Sequence, residues 1–372
     1  MNILITGGAG FIGSHTADLL LKKGHNVRIL DILEPPVHSQ REKPDYIPDD
    51  VEFKLGNVKN RNEFEKALEG IDAVFHFAAY QGYLNDFSKF AFTNGGGTAL
   101  LYEIIVKNHL PIKKVILASS QAVYGEGKYV CEEHSIQYPP QRSLSQLDCR
   151  IWDVKCPICG AGMVPSPCDE SVVNPHNQYA ISKYCQELYA INLGQRYAIP
   201  TVVLRYSITQ GPRQSLYNAY SGVLRIFTMR LLNNLPPVIY EDGEQLRDYS
   251  YIGDIVAANL LVLENDNISY EVFNVGGSNV ITVNKYASVI AKLLGKNTKL
   301  VIPEVFRFGD VRHIISDVSK LRSLGWEPST SIEEIANEYI IWTKEKSNVT
   351  DFYSQAEKIM KENGIIRSAQ KL

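Results

Sequence analysis

The chain has 372 residues, 45% of them hydrophobic and 21% charged, which fits one large α/β unit with a smaller lobe. Its formal net charge of -3, without a long basic run, argues against a nucleic-acid partner. Six cysteines are too few for a disulfide scaffold, and neither a leader nor an apolar run of about 18 residues is present, so the sequence predicts a cytoplasmic protein without a membrane span.

The first thirty residues predict a dinucleotide-binding βαβ unit. The apolar run 2–6 leads into a glycine turn, a helical pattern follows as far as Gly24, and a second apolar run ends at Asp31. Glycine is required because the helix N-terminus must meet a pyrophosphate without intervening side chains. The carboxylate of Asp31 would accept hydrogen bonds from the ribose and repel a 2′-phosphate, which favours NAD over NADP. The predicted contacts within the turn are Gly7, Gly10, Phe11, Ile12 and Gly13.

The alternation of strands and helices continues through the first half. Further apolar runs occur at 51–55, 73–79, 114–120 and 201–206. Helical stretches separate them near 60–69, 93–108 and 176–194. This pattern predicts an α/β fold with a doubly wound parallel sheet of the Rossmann type, in which ligands bind at the carboxyl ends of the strands. The cofactor contacts predicted at those ends are Asn57, Val58, Phe77, Ala78 and Ala79.

A tyrosine and a lysine lie one helical turn apart. Tyr179 and Lys183 are spaced i, i+4, so their side chains share a helix face. A phenol titrates near 10, and a neighbouring ammonium and a nicotinamide cation would favour the phenolate; lowering its pKa by three units requires about 4 kcal/mol. Ser120, at the end of an apolar run, could hydrogen-bond the same substrate oxygen. The three residues therefore predict a site for proton transfer.

Taken together, these motifs resemble the extended short-chain dehydrogenase/reductase family, the NAD-dependent epimerases and dehydratases of nucleotide sugars. The segments that carry the resemblance are 6–13, 76–79, 119–125, 179–183, 204–206, 211–214, 245–249 and 324–328. The resemblance implies that Tyr179 is the general base and acid, that Lys183 binds the nicotinamide ribose, and that Ser120 is the third catalytic residue. It also implies a homodimer, formed through two helices per subunit that include the helix of Tyr179.

The resemblance further implies contacts with a nucleotide-sugar substrate. Arg247 matches the arginine that meets the pyrophosphate, where a forked guanidinium suits two phosphate oxygens, and Arg312 is a second candidate. The loop after residue 206 is most similar to the dTDP-L-rhamnose 4-epimerase subgroup, and it has Ile208 where galactose 4-epimerases carry asparagine. Asn218 or Arg225 could supply the phosphate contact of that asparagine.

The residues after Ser120 distinguish between the reactions of the family. Dehydratases carry an Asp-Glu pair there, because eliminating water requires an extra acid and base. Here the positions are Gln121, which we predict to contact substrate, and Ala122, and neither transfers a proton. We therefore expect inversion at C4 through a transient 4-keto sugar. A keto-sugar reductase or dehydrogenase is the alternative within the fold, a dehydratase is less favoured, and an inactive NAD-sensing protein is the alternative from another class.

A long segment before Tyr179 predicts an insert at about 126–172. The 53 residues between Gly125 and Tyr179 show little periodicity, and this length is unusual for a loop in a compact domain. Its Cys-Pro-Ile-Cys-Gly run is typical of half a zinc ribbon, and two flanking cysteines would complete a closed structural zinc site. Four reduced cysteines in a loop are the alternative. The predicted ligands are Cys149, Cys156, Cys159 and Cys168.

The predicted domains follow from these elements. Residues 1–206 form the NAD-binding domain, including the insert, and residues 207–372 mainly form a substrate-binding lobe. Helical stretches in this second half occur near 218–233, 282–295 and 331–361, and the short strand 271–275 is expected to return to the sheet.

Overall fold

A computed structural model of the chain describes residues 1–218, 222–277, 279–297, 299–346 and 350–369. The predicted helix at 218–233 therefore includes residues 219–221, which lie outside the described part. The strands, in chain order, are β1 (Asn2–Thr6), β2 (Asn26–Asp31), β3 (Glu52–Leu55), β4 (Ala73–His76), β5 (Lys114–Ser120), β6 (Lys128–Cys131), β7 (Ser135–Gln137), β8 (Val164–Ser166), β9 (Thr201–Tyr206), β10 (Ile208–Gln210), β11 (Leu246–Tyr251), β12 (Glu271–Val275), β13 (Asn279–Thr282), β14 (Val305–Arg307) and β15 (Ile366–Ser368).

The helices cover both faces of the sheet and build most of the second half. A π-helical stretch, Ala91–Gly96, leads into the fourth α-helix, and a 3₁₀ turn, Gln121–Tyr124, follows β5. The α-helices, in chain order, are α1 (Phe11–Lys22), α2 (Arg61–Leu68), α3 (Phe87–Phe90), α4 (Gly97–Lys107), α5 (Leu144–Asp148), α6 (Gln178–Arg196), α7 (Val223–Leu232), α8 (Ile252–Glu264), α9 (Val283–Leu293), α10 (Ser319–Arg322), α11 (Ile332–Lys344) and α12 (Tyr353–Glu362).

A seven-stranded parallel sheet forms the centre of the molecule, in the order β12-β9-β5-β4-β1-β2-β3. Its inner strands are buried on both faces, which is why runs such as Ile3–Thr6 are apolar without alternation. The predicted doubly wound sheet is confirmed, and the strand β12 from the second half joins it beside β9. Helix α8 covers one face, where its apolar side chains pack against those of α1.

The order of the strands in the sheet determines where a ligand-binding crevice can form. From β1 the chain passes through α1 to β2 on one side, whereas β4 and β5 lie on the other side. Such a reversal opens a crevice at the carboxyl ends of the strands. The loops after β1, β4 and β5 therefore border the same crevice, and they carry the glycine turn, Phe77 and Ser120.

The second half contains a smaller sheet with its own core. Strand β11 pairs with β10 in parallel and with β13 in antiparallel fashion. Helices α7, α9 and α11 supply the apolar side chains that pack with Tyr249 of β11 in this core. Across the described part of the chain, no helix is both long and apolar enough to cross a membrane.

The insert forms a separate small sheet. Its strands have the order β7-β6-β8, and β6 pairs antiparallel with both neighbours. The single helix of the insert, α5, is capped by the hydroxyl of Ser143, which accepts a hydrogen bond from the amide of Gln146. A segment with strands of three and four residues offers little apolar surface of its own.

Candidate active site

The glycine turn after β1 packs tightly against neighbouring backbone. Gly7 has a φ of +68°, and a Cβ on it would lie 2.8 Å from the backbone of the loop after β4. A Cβ on Gly13 would lie 2.5 Å from the carbonyl oxygen of Gly7, so a side chain there would force the helix away from the turn. Within the described residues, no side chain caps α1 at Gly10, which leaves the first-turn N–H groups for an anion. The first-turn residues are Phe11, Ile12 and Gly13.

Asp31 ends β2 beside this turn. Its carboxylate accepts hydrogen bonds from the amide of Ala9 at 3.0 Å and from the amide of Leu33 at 2.9 Å. A carboxylate offers about four acceptor positions, so the two that remain are free for the hydroxyls of a ribose. The side chain is buried, and its negative charge next to the turn disfavours a second phosphate at that place. The residues of the turn and Asp31 thus fit NAD.

The other predicted cofactor contacts lie on neighbouring loops of the same crevice. The amide of Phe77 donates to the carbonyl of Thr6 at 3.1 Å, and the amide of Ala78 donates to the Thr6 hydroxyl at 3.2 Å. These bonds hold the loop that contains Ala79 against the glycine turn. The carboxamide of Asn57 accepts from the amide of Lys59 at 2.9 Å and so shapes the loop after β3, in which Val58 is buried.

The catalytic residues of the prediction lie together at the end of β5. Asn177 caps helix α6 by accepting from the amide of Ala180 at 2.9 Å, which places Tyr179 in the first turn. The phenol of Tyr179 lies close enough to the hydroxyl of Ser120 for that hydroxyl to lower its pKa. The ammonium of Lys183 lies 6.0 Å from the centre of the Tyr179 ring and donates to the carbonyl of Ala118 at 2.9 Å. The structure therefore brings the Ser, Tyr and Lys side chains into one group.

The two titratable members of this group have strongly shifted pKa values. Burial raises the pKa of Tyr179 to about 12, while the hydroxyl of Ser120 acts in the opposite direction and the phenol of Tyr83 adds to the increase. Burial lowers the pKa of Lys183 to about 7, and the carboxylate of Glu187 opposes that decrease. From the sequence we expect the pKa of this phenol to fall; in the structure it rises, because desolvation outweighs the effect of the Ser120 hydroxyl.

A buried ion pair lies beneath Lys183 on the same helix face. Glu187 is one turn further along α6, and its carboxylate contacts the guanidinium of Arg205 at 2.7 Å. The hydroxyl of Ser119 donates to the same carboxylate at 2.5 Å. Both charged side chains are almost fully buried. Because the guanidinium already neutralises Glu187, the carboxylate compensates Lys183 only in part, which is consistent with the low pKa of the lysine.

Asn94 supports the catalytic helix and was not predicted from the sequence. It is fully buried in the π-helical stretch Ala91–Gly96, and its Nδ2 donates to the hydroxyl of Ser182 at 2.8 Å. Its Oδ1 accepts from the amide of Tyr80 at 2.7 Å. The signal that could have found it is three consecutive glycines, 95–97, inside a helical pattern, since glycine and local widening of a helix mark functional positions.

The residues predicted to contact substrate lie in different surroundings. Gln121 is buried next to Ser120, and its Oε1 accepts from the hydroxyl of Ser316 at 3.4 Å. Arg225 is buried in α7, where burial lowers its pKa to about 10, and it donates to the carbonyl of Ser215 at 2.9 Å. Asn218 is also buried, five residues before the start of α7.

The two predicted phosphate-binding arginines differ in their partners. Arg247, on β11, donates to the backbone carbonyls of Val311 and Arg312, both at 2.8 Å, and these bonds leave its charge uncompensated. The guanidinium of Arg312 is buried against the carboxylates of Asp153 at 3.0 Å, Glu241 at 3.1 Å and Asp242 at 2.6 Å. The first arginine is therefore available to an anionic ligand, whereas the second already has a surplus of negative partners.

A further pair of side chains reaches the region of Tyr179. The guanidinium of Arg307 lies 4.1 Å from the centre of the Tyr83 ring, and it also pairs with Asp310 at 2.9 Å. Tyr83 is close enough to Tyr179 to raise its pKa. Neither Tyr83 nor Arg307 stands in a recognisable motif, and only the folded chain brings them together across more than two hundred residues.

The cysteines of the insert group differently from the prediction. Cys156 and Cys159 lie together with Cys131 and His134, and one ligand atom from each residue is within 4.8 Å of all the others. Cys149 is exposed at the end of α5, and the buried thiol of Cys168 accepts from the amide of Lys128 at 3.2 Å. Neither of these two belongs to the cluster, so the predicted ligand set needs correction at both positions.

A parallel sheet with a glycine turn at its reversal point, and a Ser-Tyr-Lys group at the end of the neighbouring strand, defines the chain as an NAD-binding protein of the short-chain dehydrogenase/reductase type. The sequence agrees with this class in detail. The chain belongs to the NAD-dependent epimerase/dehydratase family, whose profile matches residues 3–146 and 159–276. The match stops and resumes within the insert, at the segment that supplies Cys156.

Individual relatives extend over nearly the whole chain. A dTDP-L-rhamnose 4-epimerase of Burkholderia thailandensis is 32% identical over 348 residues, which cover 91% of this chain and 94% of the relative. Among solved structures, UDP-glucose 4-epimerase of Thermotoga maritima with UDP-glucose is 32% identical, with a TM-score of 0.76 and coverage of 93% and 99%. A UDP-glucuronic acid 4-epimerase variant of Bacillus cereus, in complex with NAD and a fluorinated UDP-glucuronic acid, is 25% identical with the same TM-score and coverage.

Proposed function

We propose that the chain is an NAD-dependent nucleotide-sugar 4-epimerase. It inverts C4 of a nucleoside-diphosphate hexose or deoxyhexose, of the dTDP-L-rhamnose type, by transient oxidation to the 4-keto sugar. The observation that carries the proposal is the group of Ser120, Tyr179 and Lys183 at the end of β5, in which the Ser120 hydroxyl acts on the phenol and the ammonium lies 6.0 Å from the ring centre. The relatives named above are 4-epimerases, which supports the same reaction for this chain.

The glycine turn and Asp31 would hold NAD, which when bound supplies a reversible acceptor for the C4 hydride. The protein's own part is the movement of one proton. The phenolic oxygen of Tyr179 takes the proton of the C4 hydroxyl during oxidation and returns it during reduction, and Ser120 hydrogen-bonds the same substrate oxygen. The side chain of Lys183 lies 6.0 Å from the centre of the Tyr179 ring, where its ammonium form would favour the phenolate.

The two residues after Ser120 favour epimerisation over dehydration. Elimination of water across C5 and C6 requires a second acid and a second base near the sugar. Gln121 offers only an amide, which is occupied in part by Ser316, and Ala122 offers no polar atom. The hydride therefore returns to the carbon from which it came, on the opposite face.

We propose that residues 1–206 bind NAD and that residues 207–372 mainly bind the nucleotide sugar. Arg247 is the proposed contact of the diphosphate, because its guanidinium meets only carbonyl oxygens in the described residues. Gln121, Asn218 and Arg225 are proposed as further substrate contacts. Arg312 remains the weaker candidate, since a phosphate would have to compete with three carboxylates.

The experiment that tests the proposal is incubation of the purified enzyme with a panel of nucleotide sugars, followed by proton NMR. Inversion at C4 without a net change in nicotinamide absorbance is the expected result, and Tyr179→Phe is expected to abolish it. A change in nicotinamide absorbance that is stoichiometric with the sugar converted would identify a reductase or dehydrogenase instead. Silence across a panel that includes dTDP-L-rhamnose and UDP-glucose, with NAD still bound, would contradict an enzymatic role.

We also propose a homodimer, a cytoplasmic location and one structural zinc ion. The dimer is supported by apolar side chains exposed on α6, since Ile181 is 55% and Leu188 is 48% accessible and the two are seven residues apart. The location is supported by six cysteines that are all unpaired. The zinc ion is supported by the cysteine cluster of the insert, with ligands that differ from the set expected from the sequence.

A further inference from the structure

Four side chains of the insert, none of them part of the proposed catalytic group, converge on one point. The sulfur atoms of Cys131 and Cys159 are 3.8 Å apart, and Nδ1 of His134 is 3.7 Å from Cys131 Sγ and 3.8 Å from Cys156 Sγ. For zinc bonds of about 2.3 Å to sulfur and 2.0–2.1 Å to nitrogen, the edges of a tetrahedron are about 3.8 Å between sulfurs and about 3.6 Å between sulfur and nitrogen. The observed separations match these edges.

We infer that Cys131, His134, Cys156 and Cys159 bind one structural Zn²⁺ ion. A disulfide does not account for the cluster, because an S–S bond is about 2.05 Å long and all the cysteines are free. Three thiolates and one imidazole at tetrahedral separation are characteristic of zinc, and four protein ligands leave no position open for catalysis. The site is independent of the proposed epimerase activity.

The local structure presents the four ligands from two short turns. Cys131 ends β6 and His134 lies in the turn before β7, which gives a Cys-x-x-His spacing. In the second turn Gly160 has a φ of +73° and its amide donates to the carbonyl of Cys156 at 2.9 Å. The backbone amides of Ile158 and Cys159 lie close enough to the sulfur of Cys156 to lower its pKa. Turns with N–H groups directed at the sulfur atoms are the usual form of a zinc knuckle, because these bonds stabilise thiolates.

The insert has too little apolar core to fix its own structure. The apolar side chains buried in it are Tyr129, Cys131, Pro139, Leu147, Val154, Cys156 and Cys168. Two of these seven are ligands in the proposed site. Small units with so few buried side chains usually depend on a metal ion or a disulfide. A zinc ion would join β6 to the turn at 156–159 and so hold the two parts of the insert together.

The insert in turn connects the two halves of the molecule. Arg142 is buried and donates to Glu126 at 3.0 Å and to both carboxylate oxygens of Glu241, each at 3.0 Å. Asp153, three residues before Cys156, pairs with Arg312 at 3.0 Å. Residues 126–153 of the insert therefore contact the second half through charged groups whose positions depend on the fold of the insert. The zinc ion thus serves as a staple for the part of the chain that joins the two halves.

The test compares metal content among matched cysteine variants of the full-length protein. Protein purified under reducing conditions without chelator is expected to contain about one zinc per chain when measured by inductively coupled plasma mass spectrometry. The Cys149→Ser variant is expected to retain this zinc. Cys156→Ser is expected to lose the metal and to melt several degrees lower. Zinc-free wild type with intact thiols, or equal metal loss in Cys149→Ser and Cys156→Ser, would overturn the site.

A second measurement covers the case in which Cys156→Ser does not accumulate. Wild-type protein reconstituted with Co²⁺ is expected to show the strong visible absorption of a tetrahedral thiolate site, and His134→Ala is expected to change that spectrum. Hydrogen exchange in peptides from 126–172 is expected to accelerate when zinc is removed. Absence of cobalt uptake, or exchange that is unchanged after metal removal, would overturn the proposal. Neither readout requires epimerase activity, so these results leave the proposed function untouched.

Discussion

Replacement of Lys183 by methionine is expected to stabilise the protein while removing its activity. The lysine is 3% exposed, and burial lowers its pKa from 10.5 to about 7. In the unfolded chain the pKa keeps its ordinary value, so between pH 7 and 10.5 the unfolded state binds more protons than the folded state. The free energy of unfolding therefore rises with pH across that window, and below pH 7 the full penalty for the buried ammonium is present.

The magnitude follows from the two pKa values and one hydrogen bond. Their difference corresponds to about 5 kcal/mol at about 1.36 kcal/mol per pH unit. Lys183→Met also loses the hydrogen bond from Nζ to the carbonyl of Ala118, about 1 kcal/mol, and leaves that buried carbonyl with one partner fewer. A net gain of about 3 kcal/mol near pH 7 remains, which for a chain of this length raises the melting temperature by about 4 °C.

The assay is differential scanning calorimetry of dinucleotide-free protein between pH 6 and pH 10. The advantage of Lys183→Met is expected to be largest at pH 6 to 7 and to disappear by pH 10, when the wild-type lysine is neutral in the folded protein. Lys358→Met, at an exposed position of α12, is the control, and its melting temperature should follow that of the wild type at every pH. A wild type that melts higher than Lys183→Met at pH 7, or a difference that does not change with pH, would refute the reasoning.

Three further predictions concern the cofactor, the substrate and the assembly. Asp31→Asn is expected to weaken NAD binding at least tenfold in titration calorimetry, because an amide oxygen without charge replaces a carboxylate that holds two backbone amides; equal affinity would contradict it. Arg247→Met is expected to raise the KM for the nucleotide sugar about tenfold with only a small decrease in melting temperature, because its lost partners are neutral carbonyls. Arg312→Met is expected to lower the melting temperature further, by several degrees, because Glu241 loses a buried partner. Equal effects of the two arginine variants would count against their assignment. Leu188→Glu is expected to convert a dimer into a monomer in sedimentation equilibrium, and an unchanged mass would exclude α6 as the interface.

The sequence was sufficient for the sheet because its signals are local. The strand β5 has the bounds that its apolar run predicts, 114–120, and the glycines after β1 are required by contacts within the turn itself. The spacing of Tyr179 and Lys183 needs only helix geometry. Two predicted helices differ from the observed elements. The predicted helix 93–108 begins with a π-helical stretch, and the predicted helix near 331–361 is two helices in the described residues.

The proposed metal ligands show why the rest could not be predicted. Cys149 and Cys168 flank the Cys-x-x-Cys run in the sequence, yet the strand pairing of β6 brings in residues from further upstream. The spacing of Cys131 and His134 is itself a recognisable half-site, and His134 stands 22 residues before Cys156. Likewise, sequence cannot say which arginine is neutralised, because the carboxylates that surround Arg312 come from separate segments of the chain.

The buried charges that join the insert to the second half also bear on how the enzyme handles its intermediate. Separating Arg142 from Glu241 in a low-dielectric interior would cost several kcal/mol, and salt would screen that attraction only weakly. The pair therefore resists separation of the insert from the second half of the chain. An epimerase that releases its keto sugar halfway loses the sugar and is left with a reduced cofactor. A firm connection between the two halves limits how far they can separate before the hydride has been returned.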